Sequence, residues 1–111
     1  MILYHNPRCS KSRQTLALLE EHGHSPEIVK YLETPLDVKD LKALAKKLNR
    51  TPREMMRVKE AVYRSEGLKD ADDEALFAAM AAHPILMERP ILVNGAKAAI
   101  GRPPEAVLEI L

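Results

Sequence analysis

The sequence has one cysteine, Cys9, in 111 residues, which excludes a disulfide within the chain and predicts a reducing, cytoplasmic location. Long apolar runs are also missing. The longest lies around residues 75–82, far short of what a bilayer requires, so we predict no membrane segment. The chain enters a strand-like run at once, without a basic leader, and we therefore expect no signal peptide.

Neither sign of charge is in excess, since 17 basic residues face 16 acidic ones and the two kinds are interspersed. This balance argues against a general polyanion binder and predicts no nucleic-acid partner, but it leaves room for a local basic pocket. One cysteine and four scattered histidines show no metal-ligand spacing, so we predict no metal. A chain of this length fits one domain, which can bury a core without a metal or a disulfide.

The cysteine lies in the most informative stretch, residues 5–13 (HNPRCSKSR). This stretch follows an apolar run and precedes an amphipathic one (14–22), which predicts a loop between a first strand and a first helix. Ser10 and Ser12 are candidate helix N-caps, so we expect the sulfur beside the first unpaired amides of the helix. Those amides and three nearby cations would lower the thiol pKa and favour the reactive thiolate. The cations are Arg8, Lys11 and Arg13.

A lone cysteine is more often a small buried apolar residue than a nucleophile. No apolar residue lies within three positions of Cys9, however, and its neighbours are proline, arginine, serine and lysine. This composition is poor for a core. We therefore favour a reactive cysteine in a pocket suited to an anion.

The remaining elements follow from hydrophobic periodicity and turn residues. Gly23 suits the C-terminal cap of the first helix, Thr51-Pro52 predicts a helix start, and Met55 and Met56 are expected in the core. A helix between the first two strands favours parallel pairing. The predicted order is strand 2–4, helix, strand 28–32, a helical block over 37–82, strand 90–93, a hairpin turn at Asn94-Gly95, strand 97–100 and helix 105–111. This order predicts an α/β layer with a helical insertion.

Several short motifs, in order along nearly the whole chain, are shared with a known family. They are His5-Asn6-Pro7-x-Cys9-x-x-Ser12-Arg13, Tyr31-Leu32-Glu33-x-Pro35, His83-Pro84-Ile85-Leu86, Arg89-Pro90-Ile91 and Gly101-Arg102-Pro103. Together they resemble the glutaredoxin-coupled arsenate reductase family. The resemblance implies a single thioredoxin-like domain over 1–111, with a mixed sheet of about four strands flanked by helices. A helical insertion after the second strand would occupy residues 36–83.

The resemblance also implies residue roles. Cys9 would be the nucleophile, His5 and Ser12 would help hold its thiolate, and Pro90 would be the cis-proline beside it. The oxyanion and its reduced product would be bound by three arginines, namely Arg57, Arg89 and Arg102. Guanidinium groups match the oxygens of a tetrahedral anion better than ammonium groups do.

Simpler structural roles stay open for some of these residues. His5 could cap the end of the first strand, and Ser12 could be a helix cap. Arg57 could be a solvated surface charge, as isolated arginines usually are. Pro90 could be an ordinary trans proline at a strand start, where proline is tolerated.

The expected reaction is attack of the thiolate on arsenate, which gives a thiol-arsenate adduct. No second cysteine can resolve the adduct, so an external thiol must act. The family resemblance implies glutathione followed by glutaredoxin, acting on a monomer without a bound cofactor. Two alternatives stay open, a monothiol glutaredoxin-like thiol reductase and an Spx-like regulator that binds RNA polymerase. Spx-type regulators commonly carry a Cys-x-x-Cys pair, and here Ser12 stands at the second position.

Overall fold

A computed structural model describes all 111 residues. The chain divides into two compact units, one formed by Met1–Thr34 with Arg89–Leu111 and the other by Pro35–Glu88. The predicted insertion, residues 36–83, falls within the second unit. Judged by length and hydropathy, none of the helices could traverse a lipid bilayer.

The first unit contains a four-stranded mixed sheet in the order β2-β1-β3-β4. The strands are β1 (Ile2–Tyr4), β2 (Glu27–Val29), β3 (Ile91–Asn94) and β4 (Lys97–Ile100). As predicted, β1 and β2 pair in parallel and β3 and β4 form an antiparallel hairpin. Strand β3 also pairs antiparallel with β1. Helix α1 (Ser10–Glu21) connects β1 to β2, and such a helical connection is what a parallel pair requires.

One apolar cluster joins this sheet to its helices. Leu3 of β1 is paired with Leu92 of β3, and both pack with Leu19 of α1 and Val107 near the C-terminus. All four side chains are fully buried, and burial of each such side chain contributes about 1.5–3 kcal/mol. Val107 lies in a 3₁₀ segment, Pro104–Ile110, where an α-helix over 105–111 was predicted.

The end of α1 follows the prediction for Gly23. Gly23 adopts φ +80°, its amide donates to the carbonyl of Glu20, and the amide of His24 donates to that of Leu19. This pair of bonds is the Schellman arrangement, which needs a left-handed residue and so favours glycine.

Two strand predictions need correction. The second strand ends at Val29, because the chain then turns and the carbonyl of Lys30 accepts the amides of Glu33 and Thr34. Tyr31 is buried within this turn. The hairpin loop is Gly95–Ala96, one residue later than predicted, because Asn94 still pairs with Lys97.

The second unit is helical, as predicted. Its helices are α2 (Val38–Leu48), α3 (Ala61–Ser65) and α4 (Asp73–Ala82), with 3₁₀ turns at Arg53–Met55, Leu68–Asp70 and Pro84–Leu86. Asp37 caps α2 and Asp72 caps α4, each by accepting the amide three residues on.

The prediction of a helix start at Thr51-Pro52 was correct in position. Thr51 and Glu54 exchange side-chain and backbone bonds, which is a capping box. The turn that follows is only a 3₁₀ helix of three residues. Met55 and Met56 are buried, which confirms that they belong to the core.

Candidate active site

Cys9 is itself the N-cap residue of α1, with extended backbone angles of φ −91° and ψ 124°. Its carbonyl accepts the first helical bond, from the amide of Arg13. The prediction that Ser10 or Ser12 caps this helix is therefore wrong, since both residues lie inside the first turn. The N-cap position of Cys9 favours chemistry at its sulfur, because a side chain at the N-cap faces the unpaired amides of the helix.

The pKa of the Cys9 thiol lies below its ordinary value. Burial raises this pKa, but four groups around the sulfur outweigh it. In decreasing order they are the Ser12 amide, the Arg89 guanidinium, the Lys11 amide and the Arg102 guanidinium. Two are helix N-terminal amides and two are side-chain cations, the kinds of group that stabilise a thiolate. Cys9 is also partly exposed, so a substrate can approach it.

Asn6 organises the loop that carries the cysteine. Its backbone carbonyl accepts the amide of Cys9, and its Oδ1 accepts the backbone amide of Arg8 at 3.0 Å. Its own backbone amide donates to Ser12 Oγ at 3.0 Å. Asparagine before proline is a turn signal, and the dipeptide Asn6-Pro7 is consistent with this role.

Ser12 and His5 contact each other beneath this loop. Ser12 Oγ lies 2.6 Å from His5 Nδ1, and both residues are buried. Burial lowers the pKa of His5, and the charges of Lys30 and Arg13 lower it further. The ring is therefore neutral at pH 7, and the Ser12 hydroxyl, which already accepts the Asn6 amide, can donate its hydrogen to Nδ1. The contribution of this pair to the thiolate stays a prediction.

Arg102 and Arg89 lie together beside the cysteine. Arg102 Nη2 is 3.9 Å from Cys9 Sγ, and Arg102 Nε donates to the carbonyl of Arg89 at 3.0 Å. Arg89 has two buried nitrogens, Nε and Nη1, with no hydrogen-bond acceptor in the protein. Buried donors without an acceptor are rare and call for an explanation; an anion held beside the sulfur would supply acceptors to them.

Gly101 allows the two arginine segments to approach the cysteine helix. Its amide donates to the carbonyl of Pro90, and a Cβ at this position would lie 2.6 Å from Thr15 Oγ1 and 2.8 Å from Pro90 Cγ. Only glycine fits such an approach without displacement of a neighbour. In the two arginine segments, the peptide bonds Arg89–Pro90 and Arg102–Pro103 are both cis.

Arg57, the third predicted anion ligand, belongs to the second unit. There its guanidinium forms an ion pair with Glu60, and its amide donates to the carbonyl of Leu86 at 2.7 Å. Its assignment to the oxyanion site rests on the family resemblance and stays a prediction.

The family is established by comparison with known proteins. The ArsC family model matches residues 4–110, and the chain belongs to this family. An arsenate reductase of Haemophilus influenzae is 53% identical, with 100% of this chain and 98% of that protein covered. The "Uncharacterized protein YfgD" of Escherichia coli K12 is 56% identical, with 98% and 94% covered.

A solved structure agrees with this assignment. The structure of an arsenate reductase from Vibrio cholerae has a TM-score of 0.96 to this chain at 55% identity, with 99% of this chain and 96% of that chain covered. The resemblance seen in the sequence motifs and the predicted thioredoxin-like α/β class are therefore confirmed.

Proposed function

We propose that this protein is an arsenate reductase that uses Cys9 as its nucleophile. The observation that carries the proposal is the pair of buried, acceptor-free nitrogens on Arg89, next to a thiol whose pKa is lowered. A nucleophilic sulfur and unused donors for an anion occur together in this site. The H. influenzae and V. cholerae relatives, both named arsenate reductase, support the same substrate.

Attack of a thiolate on arsenate brings two anions together, and the reaction is slow unless positive charge offsets both. Arg102 lies close enough to act on the sulfur, and in this proposal the unpartnered donors of Arg89 bind the arsenate oxygens. Donors held in advance where charge develops stabilise a transition state without reorganisation. Cys9 sulfur then forms a bond to arsenic, and one arsenate oxygen leaves as water after protonation.

Reduction needs two electrons, and a chain with one cysteine cannot supply them by forming an internal disulfide. External thiols must therefore complete the reaction, and we propose glutathione and then glutaredoxin as the donors. The overall reaction converts one dihydrogen arsenate, two thiols and one proton into arsenous acid, one disulfide and one water. Cys9 is regenerated as the free thiol. Such a system requires a reducing compartment, so we place the protein in the cytoplasm, as a monomer without a bound cofactor.

The direct experiment measures arsenate-dependent oxidation of glutathione in the presence of glutaredoxin. Cys9→Ser should abolish turnover while the far-UV circular dichroism spectrum stays unchanged. In a second assay, arsenate should slow alkylation of Cys9 by iodoacetamide in the wild type, and Arg89→Gln should weaken this protection. Turnover retained by Cys9→Ser would refute the mechanism.

A thiol reductase that acts on glutathione mixed disulfides would also need a reactive Cys9, but it would have little use for the Arg89 donors. Turnover on arsenate and on a glutathionylated peptide should therefore be compared in the same preparation. Preference for the peptide, without protection of Cys9 by arsenate, would favour that alternative.

A further inference from the structure

A groove in the first unit runs along α1, beside the chain that follows Arg102. Its volume is about 380 Å³, within the usual range for small-molecule sites. The residues that line it include Lys11, Gln14, Leu18, Glu21, Pro103 and Glu105. None of them has a role in the arsenate chemistry proposed above through its side chain.

The groove starts at Lys11, two residues after Cys9. Burial raises the pKa of the Cys9 thiol. The backbone amide of Lys11 is one of the groups that lower it, after the Ser12 amide and Arg89. On the opposite wall, Pro103 directly follows Arg102, whose guanidinium lies 3.9 Å from the sulfur. A molecule lying in the groove could therefore present an atom to Cys9.

The length of the groove fits a short peptide. Lys11 and Glu21 are ten positions apart on α1, and at 1.5 Å per residue this is roughly 15 Å. A fully extended tripeptide spans about 10–11 Å. A protein partner would need roughly 800 Å² of surface, far more than a groove of this size offers.

The charges along the groove are of both signs. Lys11 stands at the cysteine end and Glu21 at the far end, and Glu105 lies on the opposite wall. Leu18 and Pro103 add apolar surface between them. Glutathione is a tripeptide thiol with two carboxylates and one ammonium group, so it can pair with a cation at one end and with acidic groups further along.

We propose that this groove binds glutathione, with one carboxylate at Lys11, the ammonium group at Glu21 or Glu105, and the thiol at Cys9. This inference rests on the proposed function, in which glutathione is the first external donor. It adds the place where the donor binds and predicts selectivity for this peptide over small neutral thiols.

Ala17 offers a way to fill the groove without a change of charge. It lines the groove and is exposed on α1, so Ala17→Trp should leave the fold intact while it occupies the space of the peptide. Ala43 is a matched control, because it is an exposed alanine on α2 in the other unit. Lys11→Gln tests the charge at the cysteine end.

The readout is disulfide exchange at Cys9, which needs no arsenate. The Cys9 thiolate attacks one sulfur of oxidised glutathione, a mixed disulfide forms, and the second glutathione leaves as its thiolate. The neutral compound hydroxyethyl disulfide undergoes the same exchange, so the ratio of the two rates cancels any change in the reactivity of the thiolate. Mass spectrometry follows both products.

Ala17→Trp should lower this rate ratio about ten-fold, the loss of roughly one good contact, and Ala43→Trp should leave it unchanged. Lys11→Gln should lower the ratio about two- to five-fold, as for one exposed ion pair. An unchanged ratio in both groove variants would overturn the inference. If the ratio falls as expected while arsenate turnover is absent, the groove assignment stands and the proposed function fails. If the ratio is unchanged while arsenate turnover is present, the proposed function stands and the groove assignment fails.

Discussion

Replacement of Gly101 by alanine tests whether close approach at this residue assembles the site. The added Cβ would lie 2.6 Å from Thr15 Oγ1, 3.2 Å from Thr15 Cγ2 and 2.8 Å from Pro90 Cγ. Real Cβ atoms almost never lie within 3.0 Å of another atom, and Thr15 is fully buried, so the neighbours must move. The hydrogen bond from the Gly101 amide to the Pro90 carbonyl then lengthens or bends.

Overpacking of this kind destabilises proteins by about 1–3 kcal/mol, and we expect Gly101→Ala to lower the free energy of unfolding by that amount. Urea unfolding followed by circular dichroism measures it. Because Arg102 is the next residue, its guanidinium should also shift from its position 3.9 Å from the sulfur. Alkylation of Cys9 by iodoacetamide at pH 7 should therefore slow in the same variant.

A double-mutant cycle isolates the steric cause. Thr15→Ala removes two of the three atoms nearest to the new Cβ, although it also removes the bond from Thr15 Oγ1 to the Lys11 carbonyl. The combined variant should be less destabilised than the sum of the two single variants, by about 0.5–3 kcal/mol. Pro90 Cγ stays close, so recovery will be partial. Strict additivity, or a Gly101→Ala variant as stable and as reactive as the wild type, would refute the reasoning.

Three further predictions concern the groups around the cysteine. Arg102→Gln removes a charge 3.9 Å from the sulfur. Since Arg102 is exposed, the thiolate loses about 1 kcal/mol of electrostatic stabilisation in a water-like dielectric, and alkylation of Cys9 at pH 7 should slow about five-fold. An unchanged alkylation rate would contradict the role of the charge. Ser12→Ala leaves the backbone amide of Asn6 without its acceptor and should lower the free energy of unfolding in urea by about 1–3 kcal/mol. The exposed control Ser10→Ala should change it by less than about 0.5 kcal/mol. Equal effects of the two substitutions would count against the role of Ser12 in the loop. Burial, with two nearby cations, lowers the pKa of His5. The contribution of His5 to stability is therefore complete above about pH 6.5 and falls as the pH drops through the pKa of the folded state. Urea midpoints measured from pH 8 to pH 5 should decline more steeply in the wild type than in His5→Gln, and parallel curves would refute this.

Features that depend on neighbouring residues were predictable from the sequence. The cysteine loop, the helix after it and the left-handed residue Gly23 follow from local turn and capping chemistry. Errors came where a tertiary contact overrode a local pattern. The apolar run at 28–32 reads as one strand, yet it ends at Val29 because the next residues turn and bury Tyr31.

The identity of the helix cap shows the same limit at the site. Serine is a better N-cap than cysteine by local preference, but the hydroxyl of Ser12 is engaged by Asn6 and His5. Those partners lie on the other side of the loop, so only the folded loop could reveal that Cys9 itself takes the cap position.

By itself, the sequence determined that one cysteine stands at a helix start among cations, because residues adjacent in the chain stay adjacent in any fold. It also determined the order of helices and strands, since hydrophobic periodicity and turn residues act locally. The tertiary structure alone decided which distant cations reach the sulfur. Arg102 is 93 positions from Cys9, and the two meet because the antiparallel strands β3 and β4 return the chain to the cysteine helix at Gly101, where a side chain would not fit.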